Sequence, residues 1–127
     1  MRPIPLRFLR DTVTVLVCTE TDQYQNPVYG QSYRVTSCRT ELRADVAKST
    51  ENTTISHVGT LYADGYHTSP ALDWLKLLET AQAAGGDLLV ITPDGTRFPV
   101  LQCKPYHADG RLHHWEISLG WVNGSSR

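Results

Sequence analysis

The sequence lacks paired cysteines, long apolar runs and an excess of charge of either sign. Its three cysteines, Cys18, Cys38 and Cys103, are odd in number and far apart. That is no disulfide framework, and it suits a reducing compartment in which thiols serve as small core residues. No stretch approaches the roughly 20 apolar residues that a spanning helix needs, so no membrane role is expected. Met1-Arg2-Pro3-Ile4-Pro5 has one basic residue and no apolar segment behind it, which predicts no signal peptide. Twelve Lys and Arg stand against thirteen Asp and Glu, a net charge of -1. That balance excludes a strongly basic nucleic-acid binder and a polybasic membrane-surface protein.

Catalytic and metal motifs are missing too. There is no C-x2-4-C pair, no nucleophile-elbow pattern and no glycine-rich phosphate cradle. His113 and His114 are adjacent on an expected strand and so should project to opposite faces, unable to share an ion. No metal and no cofactor is expected. The one conceivable catalytic set is Cys103 with His107 or His114, residues flanking a single hairpin. Packing is the simpler reading for the thiol, and turn or surface packing for the imidazoles.

What is present is an ordinary globular composition, 40% apolar and 20% charged, on 127 residues, the size of one domain. In Asp11-Thr-Val-Thr-Val-Leu-Val-Cys18, Val13, Val15 and Val17 alternate with polar or outward positions, the period of a half-buried strand. Asn26-Pro27 and Gly30 are turn formers that should interrupt regular structure. Further strands are predicted at about 33–43 and 54–63. Ser69 as cap, Pro70 at the first helical position and Gly85-Gly86 as terminator predict one amphipathic helix over about 69–85. Its stripe would be Ala71, Trp74, Leu75, Leu78 and Ala81.

Leu88-Leu-Val-Ile-Thr92, the turn Pro93-Asp94-Gly95, and Thr96 to Lys104 read as a hairpin, with Pro99 marking an edge or bulge. The last strand, Leu112 to Trp121, alternates best. Trp115, Ile117, Leu119 and Trp121 share one face, and His114, Glu116 and Ser118 the other. The fold expected is mainly β: a small antiparallel barrel or sandwich of about six strands with one helix. Residues 1–10 form an arm, 11–121 the domain, and 122–127 a flexible tail.

Two segments remain outside the core pattern. The stretch 44–53 is polar and long for a hairpin connection, where about two to five residues are usual. It lies in the acidic part of the chain: residues 44–95 carry a net charge of -5, against +2 on each side. The arm carries Arg2, Arg7 and Arg10 beside Leu6 and Phe8, and Trp121 lies at the domain's end next to a polar tail. These six residues are the candidate docking groups, since aromatic and arginine side chains are enriched at interface hot spots.

Asp22-Gln-Tyr24-Gln-Asn26-Pro27-Val28-Tyr29 is similar to a D-x-Y-G-N-P-V-Y turn, and Leu112-His113-His114-Trp115-Glu116-Ile117-Ser118-Leu119 to an L-H-H-W-E-V-E-L ending. In this order and rough spacing the chain resembles the phage minor capsid proteins of the head–tail junction, known as head completion or stopper proteins. Two departures stand out: Gln25 replaces the usual glycine, and the helical stretch 69–85 is longer than expected.

The resemblance implies a small barrel in the virion, made in the bacterial host cytoplasm. It implies a ring of identical subunits, six or twelve in number, that closes the DNA channel after packaging. The portal or its adaptor would lie above, a tail protein below, and genomic double-stranded DNA nearby without specific recognition. Under it, the 44–53 segment becomes a channel loop, with Asp45, Lys48, Thr50, Glu51, Thr53 and Thr54 as its working residues. Threonines suit extended pairing between neighbours, acidic groups repel phosphate, and Lys48 supplies one contact. An adaptor or tail terminator is the near alternative; a Cys/His hydrolase and a small-molecule-binding barrel are the distant ones.

Overall fold

In a computed structural model of the chain, residues 2–42 and 55–122 are described, the backbone alone at 55–57 and 121–122. A single 3-10 turn, Leu6–Phe8, precedes strands β1 (Asp11–Thr21), β2 (Pro27–Leu42) and β3 (Ile55–Asp64). Helix α1 (Trp74–Ala83) follows, then β4 (Leu88–Ile91), β5 (Arg97–Ala108) and β6 (Arg111–Val122). Every neighbouring pair is antiparallel, and the sheet closes in the order β1-β2-β3-β6-β5-β4. Closure comes from β4 returning to β1, with Leu16 opposite Leu89 and Val17 opposite Leu88. The barrel reading therefore holds over the sandwich.

Alternation builds the core. Val13, Val15 and Val17 of β1 face inward and are fully buried, as are Ile117 and Leu119 of β6, with Trp115 beside them. Each such side chain contributes roughly 1.5–3 kcal/mol relative to exposure. Trp74, Leu78 and Ala81 of α1 join the same cluster, and the helix packs on β1, β4 and β5. Among the described residues no helix is long and apolar enough to cross a membrane.

The helix begins four residues later than its sequence signals suggest. Asp73, not Ser69, is the cap, its carboxylate accepting from the Lys76 amide at 3.2 Å. Ser69 is held elsewhere: its backbone exchanges two hydrogen bonds with Thr36 of β2, at 2.8 and 3.2 Å. Ala71 thus precedes the helix, and Leu75, expected on the apolar stripe, is 41% exposed. The C-terminal signal is correct, because Gly85 takes the left-handed conformation (φ 91°) just past the Ala84 cap.

Strand β2 is also longer than expected. Pro27 starts it opposite Thr21, and Gly30 lies within it rather than breaking it. Its alternation is interrupted at Ser37, which has φ 56°. Val13 pairs with Val35 but Asp11 with Cys38, so β2 holds an extra residue and both Val35 and Cys38 turn inward. In β5 the register shifts between Val100 and Gln102, directly after Pro99, which accounts for proline inside a closed sheet. Strand β6 continues to Val122, opposite Ile55, one residue into the expected tail.

Between β3 and α1 the chain is fixed by Asp64. Its Oδ2 accepts from the amides of Tyr66 (2.8 Å) and His67 (2.6 Å). The Asp64 amide donates to Thr68 Oγ1, whose hydroxyl donates to the Ser37 carbonyl. Gly65 passes so close to β6 that a Cβ there would stand 2.2 Å from the Leu112 carbonyl oxygen.

Candidate assembly surface

The Asp22–Tyr29 segment is a tight connection between β1 and β2. Asp22 Oδ1 accepts from the amides of Tyr24 (2.8 Å) and Asn26 (2.9 Å), and the Asp22 amide donates to the Asn26 carbonyl. The Asn26 bond above all holds the Asp22 carboxyl below its ordinary pKa. Gln25 sits at φ 67°, a conformation that glycine adopts without steric cost. The turn thus keeps a glycine-type backbone even though glycine is absent. Tyr24 projects from its tip, 73% exposed, while Tyr29 packs against the core and burial raises its pKa.

The second segment departs from its expected geometry. In β6, Tyr106 of β5 pairs with His114 but the adjacent His107 pairs with Leu112, which leaves His113 as an extra residue. A bulge of this kind brings two consecutive side chains to one side of a sheet. His113 and His114 accordingly do not diverge: their Nδ1 atoms are 2.7 Å apart. His114 stacks on Tyr106 (4.9 Å, 8°), and its Nε2 meets Glu116 Oε2 at 3.0 Å. His113 is buried and its Nε2 lies 2.6 Å from the Arg2 carbonyl oxygen. Trp115, next along, is turned into the core.

That last bond shows where the N-terminal arm goes. Residues 2–10 fold back on the barrel wall, fastened by Arg2 on His113 and by Leu9, which is 3% exposed. Between these points Leu6 and Phe8 remain 54% and 44% exposed. The Arg7 guanidinium lies 4.8 Å from the Phe8 ring centre and Arg39 lies 6.0 Å from it, while Arg10 Nε donates to the Arg7 carbonyl. Beside the arm runs an open groove of about 320 Å³ lined by Ile4, Phe8, Leu9, Arg39, Glu41 and Tyr62. Burial, then Glu41 and Glu116, raise the Tyr62 pKa.

A family profile described as minor capsid protein matches residues 5–119. The chain belongs to the phage minor capsid protein family. The match takes in the arm from Pro5, the Asp22–Tyr29 turn and the histidine strand as far as Leu119. Searches of curated proteins and of solved structures returned no match. The minor capsid assignment makes the protein a structural component of the phage virion.

Within this minor capsid protein the remaining expected residues fall in different places. Asp45, Lys48, Thr50, Glu51, Thr53 and Thr54 lie outside the described residues, as does the tail from Asn123. The Trp121 backbone pairs with Ser56, but its side chain is outside the description. Cys103 does not meet the histidines: it is buried opposite Ile117, and burial with nearby Asp73 pushes its pKa up to about 12. His114 stands outside the wall and His107 is exposed. Among the described residues no group of three His, Cys, Asp or Glu could hold a metal ion.

Sequence reading missed the partners of the arm. Arg39, Glu41 and Tyr62 come from β2 and β3, far from residues 2–10 in the chain, and no local pattern links them. The exposure of Leu6 and Phe8 beside three arginines was the available signal.

Proposed function

We propose that this virion component is a head completion, or stopper, protein of the phage neck. Copies stand in a ring of six or twelve below the portal or its adaptor, close the channel after packaging and offer the tail its attachment surface. The observation that supports this most directly is the arm surface: apolar Leu6 and Phe8, framed by Arg7, Arg10 and Arg39, exposed on one wall of a rigid closed barrel. A heterologous contact of that surface with a different face of the next copy generates a ring when the rotation closes. Many such weak contacts add through multivalency.

The stretch 44–53 is assigned to the channel in this reading. In the sequence it follows β2 and precedes β3, strands that pair with each other as far as Leu42 with Gly59. Asp45, Glu51 and Asp64 give that part of the chain its acidic character and Lys48 one positive contact with DNA. Pairing of Thr50, Thr53 and Thr54 with neighbouring copies would satisfy backbone groups across the lumen. The function needs no substrate turnover and no cofactor.

The test is a phage from which this gene is deleted. Heads should package DNA and then lose it, and fail to join tails. Complementation by a variant lacking 46–53 should restore rings and tail joining but not DNA retention. Heads that keep their genomes while tails are misassembled would instead assign the protein to the tail terminator ring.

A further inference from the structure

The two histidines of the bulged β6 strand sit in a chain of three hydrogen bonds whose ends are both pure acceptors. The Arg2 carbonyl oxygen accepts only, so His113 Nε2 carries a proton. The Glu116 carboxylate accepts only, so His114 Nε2 carries another. The Nδ1 to Nδ1 contact of 2.7 Å needs a third proton between the rings. Two neutral imidazoles hold two protons. Three bonds require three.

We propose that His113 and His114 form a one-proton latch, a pair with a single positive charge that holds the N-terminal arm closed on the barrel and opens it when a second charge is added. The charge is shared through the Nδ1 bond and countered by Glu116. A fourth proton would set Nδ1–H against Nδ1–H, replacing the central bond by repulsion between two cations whose ring centres are 5.0 Å apart.

The surroundings decide which ring gives way. His114 is faced by the Glu116 carboxylate, by Tyr106 stacked on it with Lys104 over that ring (5.4 Å), and by Tyr62 at 6.3 Å. His113 is faced by the edge of Tyr66 at 6.3 Å, which carries the Arg111 guanidinium 3.9 Å from its centre, and by the Arg2 backbone. Asp64 pairs with His114 through the backbone only, and its Oδ2 is taken by the Tyr66 and His67 amides. Glu116 therefore keeps the charged His114, and His113 swings out and releases Arg2. Proton loss acts at the other end. With three protons reduced to two, His114 Nε2 loses its bond to Glu116, a half-exposed group that turns to solvent, and the arm stays fastened.

The latch does not depend on which neck ring the protein forms. It is tested on the full-length, 15N-labelled chain between about pH 4 and pH 9, the range in which imidazoles titrate. Imidazole 15N shifts report the protonation of both rings, and amide exchange at Phe8 and Leu9, corrected for intrinsic rates, reports the arm. Protection at these amides should fall about tenfold or more across the more acidic imidazole step, the loss of a charge-assisted bond, and stay level across the other.

His113→Phe should remove the protection and its pH dependence together, with the β1 and β6 amides still dispersed. His114→Phe, which keeps the stacking on Tyr106, removes the second ring charge while His113 Nε2–H still donates to Arg2, and should abolish arm opening across the imidazole range. Arm protection that is flat across both steps, or unchanged in His113→Phe, overturns the proposal. So does His114→Phe opening at the wild-type pH.

Discussion

Thr36 and Ser69, thirty-three positions apart, exchange both of their backbone hydrogen bonds, a bridge that ties the approach to α1 onto β2. The bonds belong to the main chain, so the Ser69 side chain caps nothing. Ser69→Ala should change stability by no more than about 0.5 kcal/mol, the usual range for neutral surface sites. Asp73→Ala, by removing the true cap, should cost about 1 kcal/mol. Urea denaturation of the two variants checks the contrast.

Gln25 occupies a left-handed backbone that costs a residue with a side chain about 1–2 kcal/mol, part of which glycine would return as unfolded-state entropy. Gln25→Gly should therefore stabilise the protein by about 0.5–1 kcal/mol, read as a Tm rise of a few degrees. The turn's hydrogen bonds to Asp22 are retained in the variant.

Asp22 and Asp94 are both held below the ordinary carboxylate range, Asp22 chiefly by the Asn26 amide and Asp94 by the Thr92 hydroxyl. The folded state thus binds fewer protons than the unfolded one near these values. Their contribution is complete above the unfolded pKa, about 4, and is lost as pH falls through the lower folded values. The double variant Asp22→Asn, Asp94→Asn should flatten the acid limb of the stability curve. Denaturation midpoints measured from neutral pH down to about pH 2 would show it.

At the alkaline end the signs reverse. Burial pushes Cys38 and Cys103 up to about 12, so the folded protein keeps protons that the unfolded chain releases from about pH 9. Stability should decline as pH rises through that window. The same burial predicts that iodoacetamide modifies Cys103 in native protein at least about a hundredfold more slowly than in urea. Fast native alkylation would revive the thiol chemistry that the fold argues against.

Leu6→Ser with Phe8→Ser changes two exposed side chains and should leave barrel stability within about 1 kcal/mol. Copy number in purified particles, measured by quantitative mass spectrometry, should fall severalfold. Normal incorporation would remove the arm from the assembly contact.

Strand identity was legible because residues 13–17 of β1 and 115–119 of β6 alternate, and barrel rather than sandwich turned on one pairing, β4 with β1, that no local pattern encodes. The helix end was legible in Gly85; its start was not, because Ser69-Pro70 carries the same signals as a cap but is claimed by Thr36. Two of the bulges defeated period-two reading. Ser37 turned Cys38 inward, and His113 brought together two rings that alternation sets apart. At the candidate site the exposed arm residues were visible as composition, whereas the groove of Arg39, Glu41 and Tyr62 and the Arg2 contact depend on tertiary placement alone.

The return of β4 to β1 has a final consequence: within the wall, every strand is flanked on both sides. Sheet extension by a second copy is thereby shut out along the paired spans and confined to the outer edges of residues 27–35 in β2 and 100–108 in β5, where neither β3 nor β4 reaches.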